Sequence, residues 1–128
     1  SVKLYNAAKA IAAQETALTE LMINGEDNIK GLKDLSSVEI IGGLKNPNRS
    51  GLVSFRINGT SSHLLVDFLN DKGIRTHVRK ADHYSGNILN PLGWEDCVRV
   101  SVCHYNSSEE IKSLLLALNE FQLDALTN

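Results

Sequence analysis

The sequence lacks three features that would assign a protein quickly: an excess of basic residues, a long apolar run and a dense set of cysteines. Its 128 residues carry 13 Lys and Arg against 15 Asp and Glu, which gives a formal net charge of −2. A nucleic-acid binder needs a positive patch, and no local Lys/Arg cluster supplies one. A membrane-spanning helix needs an apolar stretch of about 18 residues, and the sequence has none. We therefore expect neither nucleic acid nor a membrane as a partner.

Only two cysteines are present, Cys97 and Cys103. They lie six positions apart in one alternating run, so on a strand their Cα atoms would be roughly 20 Å apart at ~3.3 Å per residue. A disulfide requires Cα atoms within about 7 Å. Two reduced thiols predict a reducing compartment, and no signal peptide pattern opens the sequence, so we expect the cytoplasm.

Length and hydrophobic patterning predict a single α+β domain over residues 1–128. Hydrophobic residues make up 42% and charged residues 22% of the chain, as in ordinary globular domains. About four mostly antiparallel strands, with helices packed on one face, would bury one core. The predicted elements are helix 3–23, a short helical turn at 29–35, strands 38–41 and 53–57, a helix between a cap at 60–62 and Gly73, strand 74–78, a short helix or turn at 84–92, strand 96–103, and a last helix whose capping box is Ser107 and Glu110.

No common catalytic motif occurs in the sequence. The phosphate-binding loop, the dinucleotide fingerprint, the nucleophile elbow and the zinc-protease motif are all missing. The four histidines are isolated from one another along the chain, so we predict no metal site: His63, His77, His83 and His104.

Arg99 is the first candidate for a functional residue. It lies in the middle of a valine-rich strand, on the side opposite Val98 and Val100. An arginine there is either solvated on an open sheet face or presents its planar guanidinium to a carboxylate. The polar segment 79–87 nearby is either a solvated connector or a loop that belongs to the same site.

Several segments resemble, in order, the small C-terminal domain of the class V aminotransferases, which include cysteine desulfurases and selenocysteine lyases. The most specific of them runs from Val98-Arg99-Val100-Ser101 through Tyr105-Asn106 to Glu109-Glu110-Ile111. The others are Gly31-Leu32, Val38 to Gly42, Arg49 to Phe55, Gly73-Ile74, His83-Tyr84-Ser85 and Leu92-Gly93. Together they cover nearly the whole chain.

This resemblance implies roles for three residues. Arg99 matches the arginine that binds the α-carboxylate of the amino-acid substrate. Tyr84 stands at the position of the desulfurase cysteine, with His83 before it, so the nucleophilic thiol is absent from its usual place. Cys97 and Cys103 lie on a strand and not on that loop, and we expect them to be packing residues.

The resemblance also implies that the chain works as part of a larger enzyme. In this family pyridoxal phosphate is bound by a large domain, through a lysine in a His-Lys setting that no lysine here has. We therefore expect no cofactor on the isolated chain and no turnover by it. Residues 1–23 would be the helix that joins the two domains, and the family habit is a homodimer.

Two functions follow as expectations. The first is the substrate-binding small domain of a pyridoxal-phosphate enzyme, with transamination, elimination, epimerisation or desulfurase-like chemistry all open. The alternative is a stand-alone ligand-binding or dimerisation module that recognises a carboxylate through Arg99.

Overall fold

The computed structural model describes residues 2–41, 51–80, 96–102, 105 and 107–127. The predicted α+β class is confirmed, whereas the helix or turn predicted at 84–92 lies outside these residues. The helices are α1 (Val2–Asn24), α2 (Ser62–Asp71) and α3 (Ser108–Thr127). The strands are β1 (Gly25–Glu26), β2 (Ile29–Lys30), β3 (Val38–Ile40), β4 (Leu52–Ile57), β5 (His77–Lys80) and β6 (Asp96–Ser101), and one 3-10 turn spans Leu32–Asp34.

The main sheet has four antiparallel strands in the order β3-β4-β6-β5. Strand β6 pairs with β4 on one side and with β5 on the other. The β4–β6 register sets Val53 opposite Val100 and Phe55 opposite Val98. Directly opposed residues of an antiparallel pair point to the same side of the sheet, so these four side chains share one face.

The core lies between this apolar face and the helices. All three helices contribute to it, α1 through its second half, α2 and α3 through one side each. Complete burial of one such aliphatic or aromatic side chain stabilises the fold by roughly 1.5–3 kcal/mol. The largest fully buried side chains are Met22, Leu32, Val53, Phe55, Leu65, Leu69, Val98, Ile111, Leu114, Leu115 and Leu118.

Helix α2 begins and ends where its local sequence predicts. The Ser61 side chain accepts a hydrogen bond from the backbone N–H of His63 at 3.2 Å and caps the first turn. At the other end Gly73 has a φ of +80°. Its N–H donates to Asn70 and that of Ile74 donates to Leu69, each at 2.9 Å. This double closure is the Schellman motif, and the left-handed residue in it favours glycine.

The same closure explains why the prediction for β5 was wrong by three residues. Strand 74–78 was expected, but the strand runs from His77 to Lys80. Ile74 is used to end α2, where its side chain is buried in the core. The chain can pair with β6 only after this closure, so the strand begins at His77.

A small hairpin occupies the start of the segment predicted as a short helical turn at 29–35, and the helical turn itself is confined to Leu32–Asp34. Strands β1 and β2 pair antiparallel across the two-residue turn Asp27-Asn28, and the 3-10 turn follows. The Lys112 ammonium group lies 3.2 Å from a carboxylate oxygen of Glu26 and 3.2 Å from one of Glu109. These two hydrogen bonds raise the pKa of Lys112, and the one with Glu26 has the larger effect. The hairpin is thereby attached to the first turn of α3.

Helix α1 is longer than the core that it covers. Apolar residues recur along it at helical spacing, but Leu4 is 73% exposed and Ile11 59% exposed. Leu18 and Met22, about two to five turns further on, are buried. The regular spacing of leucine and isoleucine predicts the helix correctly, but only the second half of the helix packs on the sheet.

We predict that Gly31→Ala is strongly destabilising. A Cβ at Gly31 would collide with the backbone of Ile23, Asn24 and Gly25, so the hairpin could not close against the end of α1. We expect a loss of roughly 2 kcal/mol or more, as for other forced overpacking. Urea unfolding of the 128-residue chain measures this loss.

Gly59→Ala is the matched control for that measurement. Gly59 has a φ of +78° but open space around a Cβ, so only the backbone penalty of about 1 kcal/mol applies. Equal losses for the two variants would show that the close approach at Gly31 contributes nothing.

Candidate functional site

The residues that alternate with the core positions line the other side of the main sheet, here called the polar face. It carries three arginines, one on each of the three adjacent strands β4, β6 and β5. Cross-strand register and strand alternation place on this face Glu39 of β3, Ser54 and Arg56 of β4, His77 and Arg79 of β5, and Cys97, Arg99 and Ser101 of β6. The described helices all pack on the opposite side of the sheet.

Arg99 lies at the centre of the polar face. It is directly opposite Ser54 on β4 and His77 on β5. The side chain is half-buried, and its Nε is buried without a hydrogen-bond partner among the described residues. A buried donor that makes no hydrogen bond is unfavourable by about 1–3 kcal/mol, and more when it is charged.

Sequence patterning found Arg99 but missed its neighbours. The sequence presents His77 only as one of four isolated histidines, and no motif singles out Ser54. Alternation along each strand shows that both side chains avoid the core. What it cannot show is the strand order, and only that order brings β4, β6 and β5 side by side.

Cys97 is a buried free thiol on the polar face. Burial raises the pKa of the thiol above its ordinary value, while the hydrogen bond with Ser54 and the nearby Arg79 and Arg99 oppose this shift. A thiol held neutral and out of solvent is a poor nucleophile. This agrees with the interpretation of Cys97 as a packing residue.

We predict that Cys97 is alkylated slowly by iodoacetamide in the folded chain at pH 7–8, and rapidly after unfolding in urea. Peptide-resolved mass spectrometry separates Cys97 from Cys103, so each thiol is read independently. Samples are quenched with 2-mercaptoethanol at intervals, and the growth of the labelled fraction with time gives the alkylation rate. Labelling of native Cys97 as fast as that of the unfolded chain would contradict its burial and its raised pKa.

Tyr105 ties the start of β5 to the segment between β6 and α3. Its side chain is buried, and its O–H donates to the backbone carbonyl of Arg75 at 2.8 Å. Burial, assisted by the Glu110 carboxylate, raises the pKa of Tyr105 to about 12. Because Arg75 lies two residues before His77, this hydrogen bond positions the strand that borders Arg99.

We predict that Tyr105 makes stability fall at alkaline pH. Its pKa is higher in the folded chain than in the unfolded chain, so its contribution is complete below about pH 10 and is lost as pH rises toward 12. The two-unit difference corresponds to a loss on the order of 2 kcal/mol. Urea unfolding at pH 8, 10 and 11.5 measures it.

Tyr105→Phe should remove this pH-dependent part and lose about 1 kcal/mol at pH 8, since the Arg75 carbonyl loses its donor. Tyr5→Phe is the control because Tyr5 is 68% exposed. If Tyr105→Phe shows the same alkaline loss as the parent sequence, another group causes it.

Several predicted site residues lie outside the described part of the chain: His83, Tyr84, Cys103 and His104. Of the other histidines, His63 is exposed on α2 and His77 is exposed on the polar face. Among the described residues, no three His, Cys, Asp or Glu side chains are grouped to hold a metal ion. No helix in the described ranges is long and apolar enough to cross a membrane.

Comparison with known proteins agrees with the fold. Residues 5–114 match the family model described as aminotransferase class-V. The chain is 32% identical over 111 residues to a probable cysteine desulfurase of Halobacterium salinarum, covering 87% of this chain and 25% of that protein. It is 32% identical over 118 residues to a cysteine desulfurase of Synechococcus elongatus, covering 92% of this chain and 17% of that protein.

A solved structure is similar as well. The apo structure of a cysteine desulfurase from Thermococcus onnurineus superposes with a TM-score of 0.64 at 30% identity, over 85% of this chain and 25% of that one. The small α+β domain described above is therefore part of a known architecture. The chain belongs to the class V aminotransferase family, and it spans a quarter or less of the length of these relatives.

The described residues do not fit pyridoxal phosphate, the cofactor expected in this family. Its aldehyde needs an amine close to the substrate site, but no described lysine lies on the polar face. Lys112 binds Glu26 and Glu109, and Lys72 lies 3.0 Å from Glu120. Lys80 is opposite Asp96 and on the same side of the sheet as the core. The other described lysines are exposed on α1 or around the hairpin: Lys3, Lys9, Lys30 and Lys33.

Proposed function

We propose that this chain is the substrate-binding small domain of a pyridoxal-phosphate enzyme that acts on an amino acid, and that Arg99 binds the substrate's α-carboxylate. The observation that carries the proposal is the buried, unpartnered Nε of Arg99 at the centre of the polar face. A guanidinium presents parallel N–H donors that match the two oxygens of a carboxylate. Strand β6 holds this group rigidly, since it is paired on both sides.

The cofactor would be bound by residues outside this chain. On this proposal the 128 residues alone do not turn over substrate. We further propose that residues 1–23 connect the domain to the cofactor-binding part of the enzyme. The exposed apolar side chains Leu4, Tyr5 and Ile11 on the first half of α1 support a packing partner there.

The reaction class follows from Tyr84, which lies outside the described residues. In the relatives named cysteine desulfurase the family resemblance places a cysteine at this position, and a phenol cannot take up sulfur as a thiolate does. The thiol nearest to Arg99 in sequence, Cys97, is buried with a raised pKa. We propose that transamination or C–S bond cleavage without a persulfide on this chain is the reaction.

We predict that Arg99→Ala weakens amino-acid binding about 10- to 100-fold, the value of one charge-assisted carboxylate interaction. The experiment uses the full-length protein that carries this chain. Its cofactor absorption band is recorded while an amino acid is added, and the concentration giving half of the spectral change is compared between variants. Arg99→Lys should recover only part of the affinity because it keeps the charge but not the two parallel donors.

Arg75→Ala is the matched control, since Arg75 is an exposed arginine that lies outside the strands of the polar face. Equal titration curves for Arg99→Ala and the parent protein would overturn the role of Arg99. If the full-length protein has no cofactor band and still binds simple carboxylates through Arg99, the ligand-binding module is the correct function.

A further inference from the structure

A second guanidinium lies beside Arg99 on the polar face. Arg79 of β5 is directly opposite Cys97, and Cys97 precedes Arg99 by two positions on β6. Side chains two apart on one strand, and side chains directly opposed across two strands, point to the same side. Diagonal neighbours of this kind have Cα atoms about 7–8 Å apart. Both guanidinium groups are close enough to the Cys97 thiol to lower its pKa.

Neither arginine of this pair is neutralised by a described carboxylate. The third arginine of the polar face, Arg56, has Glu39 directly opposite it on β3. Asp96 is opposite Lys80. Among the described residues, Arg79 and Arg99 form no ion pair. The side chains between and beside them are those of Cys97, Ser54, His77 and Arg56, and none of these is a carboxylate.

Two adjacent like charges with no counter-ion among the described residues are unfavourable in a half-buried setting. Each of these arginines is half-buried, which strengthens both the repulsion between them and the attraction to an anion. The α-carboxylate of an amino acid would neutralise the charge of Arg99 alone. A ligand that carries a second anionic group a few bonds away would neutralise both.

We propose that Arg79 binds the side-chain anion of the substrate, so that the site selects amino acids with an acidic side chain. The side-chain group is a carboxylate or another anion of similar size on the β- or γ-carbon. Arg99 binds the α-carboxylate and Arg79 the second anion, with the apolar Cys97 thiol beneath the carbon chain that joins them. This assignment rests on the proposed function, because it takes the ligand to be an amino acid held by Arg99.

The test compares isosteric pairs of ligands in the full-length protein. L-Aspartate and L-asparagine, and L-glutamate and L-glutamine, differ in the side-chain charge and hardly in shape. The cofactor band reports the dissociation constant of each. We expect the acidic member to bind about 10-fold or more tightly than its amide, as one charge-assisted interaction provides.

Variants then assign that preference to one residue. Arg79→Gln should weaken L-aspartate or L-glutamate about 10-fold and leave the amides within about 2-fold, so the preference disappears. Arg99→Gln should weaken all four ligands alike. Arg75→Gln, on an exposed arginine outside the polar face, should change none of them. Circular dichroism of each variant shows whether the fold is retained.

A second measurement does not depend on the cofactor. Isothermal titration calorimetry of the same protein with succinate and with butyrate compares a dianion with a monoanion of equal chain length. Succinate should bind more tightly, and Arg79→Gln should remove the difference. This readout distinguishes a failure of the present assignment from a failure of the proposed function.

Three results would overturn the assignment. Amides that bind as tightly as the acids show that no second anion is recognised, while the proposed function stands. An Arg79→Gln variant that weakens acids and amides equally shows that both arginines bind the α-carboxylate. If no amino acid changes the spectrum, the proposed function fails, and equal calorimetric affinities for succinate and butyrate then reject the dianion site as well.

Discussion

The alternation of side chains along β6 is the constraint on which the rest of the structure depends. Val98 and Val100 are completely buried against the helices. Because the side chains of a strand alternate between its two sides, Cys97 and Arg99 must point away from the core. The hydrophobic energy that anchors the valines therefore also fixes the direction of the guanidinium. A shift of register by one residue would place Arg99 in the core and expose the valines.

Much of the fold could be predicted because its signals are local. The Ser61 cap, the left-handed Gly73 and the valine alternation of β6 each act within a few residues. The parts that sequence did not predict depend on contacts between distant segments. The β1–β2 hairpin forms where Gly31 can approach the end of α1 closely, and the start of β5 moves because Ile74 is used to end α2. Only the second half of α1 is buried, because only that half packs on the sheet.

The candidate site was predictable to a similar degree. One residue, Arg99, could be found because a charged side chain interrupts an apolar strand, and the family resemblance then supplied its role. Ser54, His77 and Arg79 could not be placed beside it, since they are separated from it by 20 or more positions in the sequence. Their proximity follows from the strand order β3-β4-β6-β5, in which β6 lies between strands that come earlier in the chain.

This order makes the site sensitive to contacts far from the polar face. Strand β5 is an edge strand of four residues, held on one side by β6 and at its start by the Tyr105 hydrogen bond to Arg75. Short edge strands have few ladder hydrogen bonds and open at low cost. Tyr105 belongs to the segment that leads into α3. Its buried phenol therefore links α3 to β5 through the hydrogen bond to Arg75. The position of His77 and Arg79 beside Arg99 thus depends on a residue that lies outside the site itself.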